Sequence, residues 1–280
     1  MIYTLTLNPA LDYVMDIDEI ATGKTNRSEN EAVFFGGKGI NVSVVLSRLG
    51  IKNTALGFLA GFTGKELLKE LKKEKVKSDF IFLQNGITRI NVKLRGKVET
   101  EINSSGPDIP EAEIQRLIKR LKKINSGDTL VLSGSIPSGV DLCLYERIMK
   151  GLKGKNVKII LDATKDSLLP CLKYRPFLIK PNKQELEEIV GKDLNTIEEI
   201  VDGAKSLKEM GALNVLVSLG KDGAVLIDEN NNTHIKSAVS IDTVNAVGAG
   251  DSMIAGFIAG ISKGKTYPER RRFGYFLHGS

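Results

Sequence analysis

The sequence predicts an α/β fold, a mostly parallel sheet flanked by helices with a small β-sheet lid outside it. Three observations carry that expectation. Short apolar runs recur along the chain with helical patterns between them. Several of those helical patterns are one-sided. Two further segments, at 11–17 and 89–95, break the rhythm with strict polar–apolar alternation.

The apolar runs are IYTLTL (2–7), TLVLS (129–133), VKIILD (157–162), PFLIK (176–180), NVLVS (214–218) and AVLI (224–227). Between them, EAEIQRLIKRLKKI places Ile114, Leu117, Ile118, Leu121 and Ile124 on one helical face. EEIVDGAKSLKEM does the same with Ile200, Ala204, Leu207 and Met210, and KELLKELKKEKVK (65–77) reads as an amphipathic helix with a charged outer face. Strand and helix in alternation imply a sheet covered by helices.

In the two exceptional segments, Leu11, Tyr13, Met15 and Ile17 alternate with Asp12, Val14 and Asp16, and Arg89, Asn91, Lys93 and Arg95 alternate with Ile90, Val92 and Leu94. Period-two segments with one polar face suit a half-exposed sheet apart from the main one. Its strands are expected within about 11–35 and 88–103. The face bearing Asp12, Arg89, Asn91 and Lys93 is either a lid over a polar ligand or an ordinary solvated face. No long linker, repeat or low-complexity tract divides the chain, so residues 1–280 are expected to form one domain with its lid.

Composition narrows the function. With 41% hydrophobic and 26% charged residues, the chain is an ordinary globular protein. Its net charge of +6 comes mainly from lysines interleaved with glutamate on helices, without interleaved aromatics. That predicts no nucleic-acid partner, while a mild positive bias suits anionic small substrates. The N-terminus lacks a signal-peptide pattern and no apolar run reaches membrane-spanning length, which predicts a cytoplasmic protein with no membrane partner. Cys143 and Cys171 read as reduced packing residues; with His234 and His278 isolated, no Cys/His metal site is suggested.

Chemistry-bearing segments gather at predicted strand ends and helix starts. NAVGAGDSMI (245–254) reads as a glycine turn opening a helix, because apolar residues at helical spacing follow Asp251. The unpaired N–H groups there make an anion cradle, and the helix start is expected at the aspartate. Asp251 itself is either an N-cap or a proton acceptor beside a transferring phosphoryl group. GGKGIN (36–41) sets Lys38 and open amides at a second helix start. SGSIPSG (133–139) and KPNKQE (180–185) follow strands, on the side where ligands gather in open α/β sheets. SLGKDG (218–223) either admits a nucleotide or forms a hairpin turn. A Walker A motif is absent because Gly64-Lys65 is followed by Glu66, and neither Gly248/Gly250 nor Gly37/Gly39 completes a GxGxxG motif.

Taken in order, NPALD, GGKGIN, TRIN, SGSIPSG, KPNKQE, SLGKDG and GAGDS resemble the ribokinase-like (PfkB) carbohydrate kinases from Met1 to about Gly264. The resemblance implies a ribokinase-like fold and transfer of the ATP γ-phosphoryl group to a sugar phosphate. Fructose 1-phosphate giving fructose 1,6-bisphosphate is the first expectation and tagatose 6-phosphate the alternative. It implies Asp251 as general base, with the amides of Gly248, Ala249, Gly250 and Asp251 as the anion hole. Asp12, Gly36, Gly37, Lys38 and Asn41 would bind the sugar, with Arg89 and Ser135 assisting. Lys180, Asn182 and Glu185 would serve ATP, Mg²⁺ being held through water by Asn182 and Glu185, while Ser218, Gly220 and Gly223 line the nucleotide pocket. A homodimer through the lid is expected by the same likeness.

The chain departs from the pattern in two places. Ala246 stands where relatives usually carry Ser or Thr. The closing KTYPERRRFGYFLHGS, with Pro268 and three successive arginines, replaces the further helical sequence of the family, so the C-terminus is expected to be shortened. A sugar-phosphate-binding protein without catalysis is the reading from another class.

Overall fold

The computed structural model describes residues 1–237 and 248–264. In chain order the elements are β1 (Ile2–Thr6), β2 (Ala10–Asp16), β3 (Asn30–Gly36), α1 (Lys38–Arg48), β4 (Asn53–Ala60), α2 (Gly61–Lys73), β5 (Lys77–Leu83), β6 (Arg89–Arg95) and β7 (Thr100–Ile102). There follow α3 (Glu111–Leu121), β8 (Thr129–Ser133), α4 (Leu144–Leu152), β9 (Lys158–Asp162), α5 (Lys165–Leu172), β10 (Leu178–Ile179), α6 (Lys183–Val190) and α7 (Ile197–Glu209). Last come β11 (Val215–Ser218), β12 (Ala224–Ile227), β13 (Thr233–Lys236) and α8 (Ala249–Ser262).

The main sheet runs β13-β12-β11-β10-β9-β8-β1-β4-β5. From β5 to β11 neighbouring strands are parallel, and β12 and β13 are added antiparallel. Its central strands are apolar on both faces because both are covered. Leu130, Leu132, Ile159 and Leu161 pack into one core with Leu117 of α3 and Tyr145 of α4. Val131 and Ile160, one residue out of phase, face a second core with Val42 and Leu46 of α1 and Ile254 and Phe257 of α8. Helix α8 is buried almost throughout, and Ala255, Gly256, Ala259 and Gly260 keep it slim.

The lid is a separate four-stranded sheet in the order β3-β2-β6-β7, close to the expected boundaries. Its β2 and β6 are parallel, with Asp12 opposite Asn91, and β3 and β7 close the two sides antiparallel. The polar face is not a solvated one. Asn91 is buried and Lys93 is only 14% exposed, so this face is turned toward the protein.

Some local expectations need correction. The Lys-rich helix ends at Lys73, and 77–83 is β5 instead, because Lys75 turns the chain in the left-handed region at φ 58°. Strands β4 and β5 were not anticipated. Met210 lies beyond α7 and is exposed rather than part of its buried face. Cys171 is buried, but Cys143 is exposed, at the N-cap of α4. His234 is not isolated: its Nε2 lies 2.9 Å from the buried Asp228. Between β11 and β12, SLGKDG makes the hairpin, with Gly220 and Gly223 at positive φ. Residues 245–247, including Ala246, and the closing 265–280 lie outside the described residues, so neither departure from the pattern is tested.

Candidate active site

Three segments meet beyond the C-terminal ends of the parallel strands. The first is the turn into α8. Gly248 is its N-cap, in the left-handed conformation at φ 89°, so the helix begins at Ala249, two residues before the aspartate. Asp251 therefore sits in the first turn, and no side chain among the described residues caps the helix. That removes the N-cap reading of Asp251. The leading amides of α8 remain without partners inside the helix and carry its positive dipole end.

The second segment is GGKGIN. Gly37 caps α1 at φ 128°. A Cβ on Gly39 would lie 2.6 Å from Thr6 Oγ1 and 2.9 Å from the Leu5 carbonyl oxygen, so glycine is what lets α1 dock against β1. That docking aims Asn41 at α8, where its Nδ2 donates to Asp251 Oδ2 at 2.8 Å.

The third is the end of β10. Lys180 is only 6% exposed, and a Cβ on Gly250 would come within 2.9 Å of its Nζ. The lysine ammonium thus passes directly over the backbone of the turn at Gly250. Two ammonium groups, on Lys38 and Lys180, each lie 3.4 Å from the carboxylate of Asp162 at the end of β9.

Burial dominates the electrostatics of Asp251. Burial first, and then the charge of Asp162, push its carboxyl from the ordinary 3.8 up to about 6, against the Asn41 hydrogen bond, Lys180 and Lys38. Desolvation works against the charge on Lys38, but Asp162, Glu185 and Asp251 together outweigh it and raise its pKa. A buried carboxylate tuned toward neutral pH, beside the leading amides of α8 and two cations, can take a proton while anionic charge accumulates next to it.

On the lid, Asp12 accepts from Asn91 Nδ2 at 2.8 Å and pairs with Lys93 Nζ at 3.1 Å. Arg89 is held by its Nε to the Asn8 carbonyl oxygen at 3.2 Å and by a terminal nitrogen to that of Ser104 at 3.4 Å. Burial lowers its pKa against the pull of Asp12.

A family model for pfkB carbohydrate kinases matches residues 5–275. The chain belongs to the pfkB family of carbohydrate kinases. Among curated relatives, it is 42% identical to the 1-phosphofructokinase of Bacillus subtilis, over 98% of this chain and 90% of that one. It is 41% identical to the D-tagatose-1-phosphate kinase of Bacillus licheniformis, over 97% and 89%. Among solved structures, phosphofructokinase-2 of Escherichia coli in complex with substrates and products superposes at a TM-score of 0.90, with 30% identity and coverage of 98% and 90%. The ribokinase of Arabidopsis thaliana shares the fold at a TM-score of 0.80 and 20% identity. The chain is an enzyme of the carbohydrate-kinase class, and membership implies use of ATP.

In this pfkB kinase only some of the residues expected from sequence are brought together. Asp251, Asn41, Lys38 and Lys180 are joined by direct contacts or through Asp162, and Gly36, Gly37 and Gly248 to Gly250 shape their backbone. Asp12 and Arg89 stand on the inner face of the lid. Asn182 and Glu185 form a reciprocal capping box at the start of α6, each side chain accepting from the other's amide at 2.8 Å. Asn182 also bridges to Ser218 across β10 and β11. Ser135 is exposed on its loop, while Gly220 and Gly223 serve the hairpin.

Sequence reasoning missed Asp162, Ser133 as its partner, and Tyr145, whose hydroxyl donates to the Gly134 carbonyl oxygen at 2.9 Å. Asp162 had only been read as the end of a strand. No helix among the described residues is long and apolar enough to cross a membrane, and none of their His, Cys, Asp and Glu side chains form a metal-sized group of three.

Proposed function

We propose that this kinase transfers the γ-phosphoryl group of ATP to the free primary hydroxyl of fructose 1-phosphate, giving fructose 1,6-bisphosphate. The observation that carries the reading is Asp251, buried in the first turn of α8 beside its leading amides and held by Asn41. The 1-phosphofructokinase relatives support the choice of substrate.

Asp251 accepts the hydroxyl proton as the oxygen attacks. The amides of Gly248, Ala249, Gly250 and Asp251 face the charge on the transferring group, with Lys38 and Lys180 beside them. On the lid, Asp12 and Arg89 hold the sugar and its phosphate, together with Gly36, Gly37, Asn41 and Ser135. Ser218, Gly220 and Gly223 line the nucleotide side. Mg²⁺, when bound, neutralises phosphate charge. Asn182 and Glu185 would hold the ion through water: they are oxygen donors three residues apart at the start of α6, fixed by the capping box in which Glu185 Oε2 and Asn182 Oδ1 each accept from the other's amide.

Tagatose 1-phosphate is the second reading, favoured over the 6-phosphate by the name of the Bacillus licheniformis relative. The two ketose phosphates differ in configuration at one carbon, and a coupled assay comparing kcat/KM across fructose and tagatose 1- and 6-phosphates decides between them. No turnover on any of the four would overturn the ketose-phosphate reading, and calorimetric binding of fructose 1-phosphate without turnover would leave a sugar-phosphate-binding protein.

A pH profile follows from Asp251. Its carboxyl must be ionised to take the proton, so kcat/KM is expected to fall about tenfold per pH unit below the pKa near 6 and to level off above it. A flat profile between pH 5 and 8 would remove Asp251 from the role of base.

The lid also supports a homodimer. Its outer face carries an in-register apolar row, Val33, Tyr13, Val92 and Ile102, with Val33 48% and Ile102 58% exposed. Light scattering at micromolar concentration is expected to give twice the chain mass. A monomer would refute the pairing, and a tetramer, the form reported for an inhibited phosphofructokinase-2 of Escherichia coli, would extend it.

A further inference from the structure

The kinase reading leaves the buried carboxylate of Asp162 without a role. Asp162 is 1% exposed, at the end of β9 between the sugar loop and the nucleotide strand. Four polar groups converge on it. Lys38 Nζ from α1 and Lys180 Nζ after β10 each approach its carboxylate to 3.4 Å. Ser133 Oγ at the end of β8 lies 3.3 Å from Oδ2, and the Gly134 amide donates to the Asp162 main-chain oxygen at 3.0 Å. An isolated carboxylate this deeply buried would be strongly disfavoured, and two ammonium groups offset part of that cost. Neither lysine has a closer carboxylate partner among the described residues. The arrangement therefore fixes both cations on either side of one point before any phosphate arrives.

We propose that Asp162 is the positioning residue of the site: it holds Lys38 on the sugar side and Lys180 on the nucleotide side, so that both cations meet the transferring phosphoryl group in place. The inference rests on the kinase reading. A single counter-ion for two cations also keeps them from binding phosphate anywhere within their long reach, which trades affinity for geometry. Asp251 is faced by Asn41 and Lys38 from α1, Asp162 from β9 and Lys180 from β10, so the same carboxylate also weighs on the base.

The Asp162→Asn variant keeps the shape and removes the charge. Its kcat is expected to fall about tenfold or more, because the lysines lose their anchor. Calorimetric binding of magnesium-free ATP is expected to tighten by roughly threefold or more, because one buried negative charge has left a doubly cationic site. The acid limb of kcat/KM should move down by about half a pH unit or more, since Asp162 no longer raises Asp251. A merely structural role predicts the opposite pairing, with weaker ATP binding alongside a lower melting temperature. That pairing, or a kcat within twofold of the parent, overturns the proposal.

Should Asp162→Asn not fold, Asp162→Glu carries the test: charge is kept but displaced, so kcat should drop while the acid limb stays in place, and parental kcat would overturn the proposal. If the unaltered protein turns over no sugar phosphate, the kinase reading fails on its own, and the ATP calorimetry of the two proteins still decides whether Asp162 restrains the lysines.

Discussion

Replacing Asp251 by asparagine is expected to lower kcat by about a hundredfold or more with little change in substrate binding, and at the same time to raise the melting temperature at pH 8. The first effect follows from losing the proton acceptor while keeping an oxygen for the Asn41 hydrogen bond. The second follows from burial. A carboxyl whose pKa is lifted from 3.8 to about 6 is harder to ionise in the folded chain than in the unfolded one. At ~1.4 kcal/mol for each tenfold, the ionised form costs the folded state on the order of 3 kcal/mol. The sign runs with pH. Below about pH 4 both states are protonated and the penalty vanishes; it grows between 4 and 6 and is complete above 6. The stabilisation from Asp251→Asn should therefore be several degrees at pH 8 and absent near pH 4, as read by calorimetric melting at both values. Near-parental turnover would remove the base assignment. Equal melting temperatures at pH 8 would show that the carboxylate is better compensated than its surroundings indicate.

The same burial explains what was legible in the sequence and what was not. TLVLS, VKIILD and NVLVS could be read as strands because they are apolar on both faces, which a doubly covered parallel sheet requires. The alternation at 11–17 and 89–95 marked the lid equally well, since Asp12, Asn91 and Lys93 fall on one face and Leu11, Tyr13, Ile90 and Val92 on the other. NTALGFLA was harder. Its eight residues are all buried, and its neighbour β5 begins straight after a Lys-rich helix whose end is marked by no glycine. Lysine, not glycine, occupies the left-handed turn at 75. The glycine motifs of the site were legible because several of their glycines answer a backbone need, as Gly39 does against the Leu5 carbonyl and Gly37 and Gly248 do at positive φ. Asp162 was not, because its meaning is spatial. Its lysines come from α1 and from the chain beyond β10, and only the sheet order β10-β9-β8-β1 brings them together.

Asp12→Ala should show the complementary kinetic signature: a KM for the sugar phosphate raised about a hundredfold, with the KM for ATP and kcat at saturation nearly unchanged. Asp12 lies on the lid, across the sheet from Asn91, and has no direct contact with Asp251, Lys38 or Lys180 among the contacts described. Its two oxygens are divided between Asn91 Nδ2 and Lys93 Nζ, which fix the carboxylate's direction and leave it to accept from sugar hydroxyls. Truncation removes that acceptor and strands Lys93, 14% exposed, with Glu101 3.6 Å away as its remaining carboxylate partner. The loss thus includes an under-compensated cation on the lid's inner face, which places the expected effect near the upper end for a single charged hydrogen-bonding group, about 2–3 kcal/mol. If the lid held the sugar only by covering it, Asp12→Ala would lower kcat through water entry and leave KM where it was. The two outcomes separate a lid that binds from a lid that merely closes, and steady-state kinetics in both substrates distinguishes them.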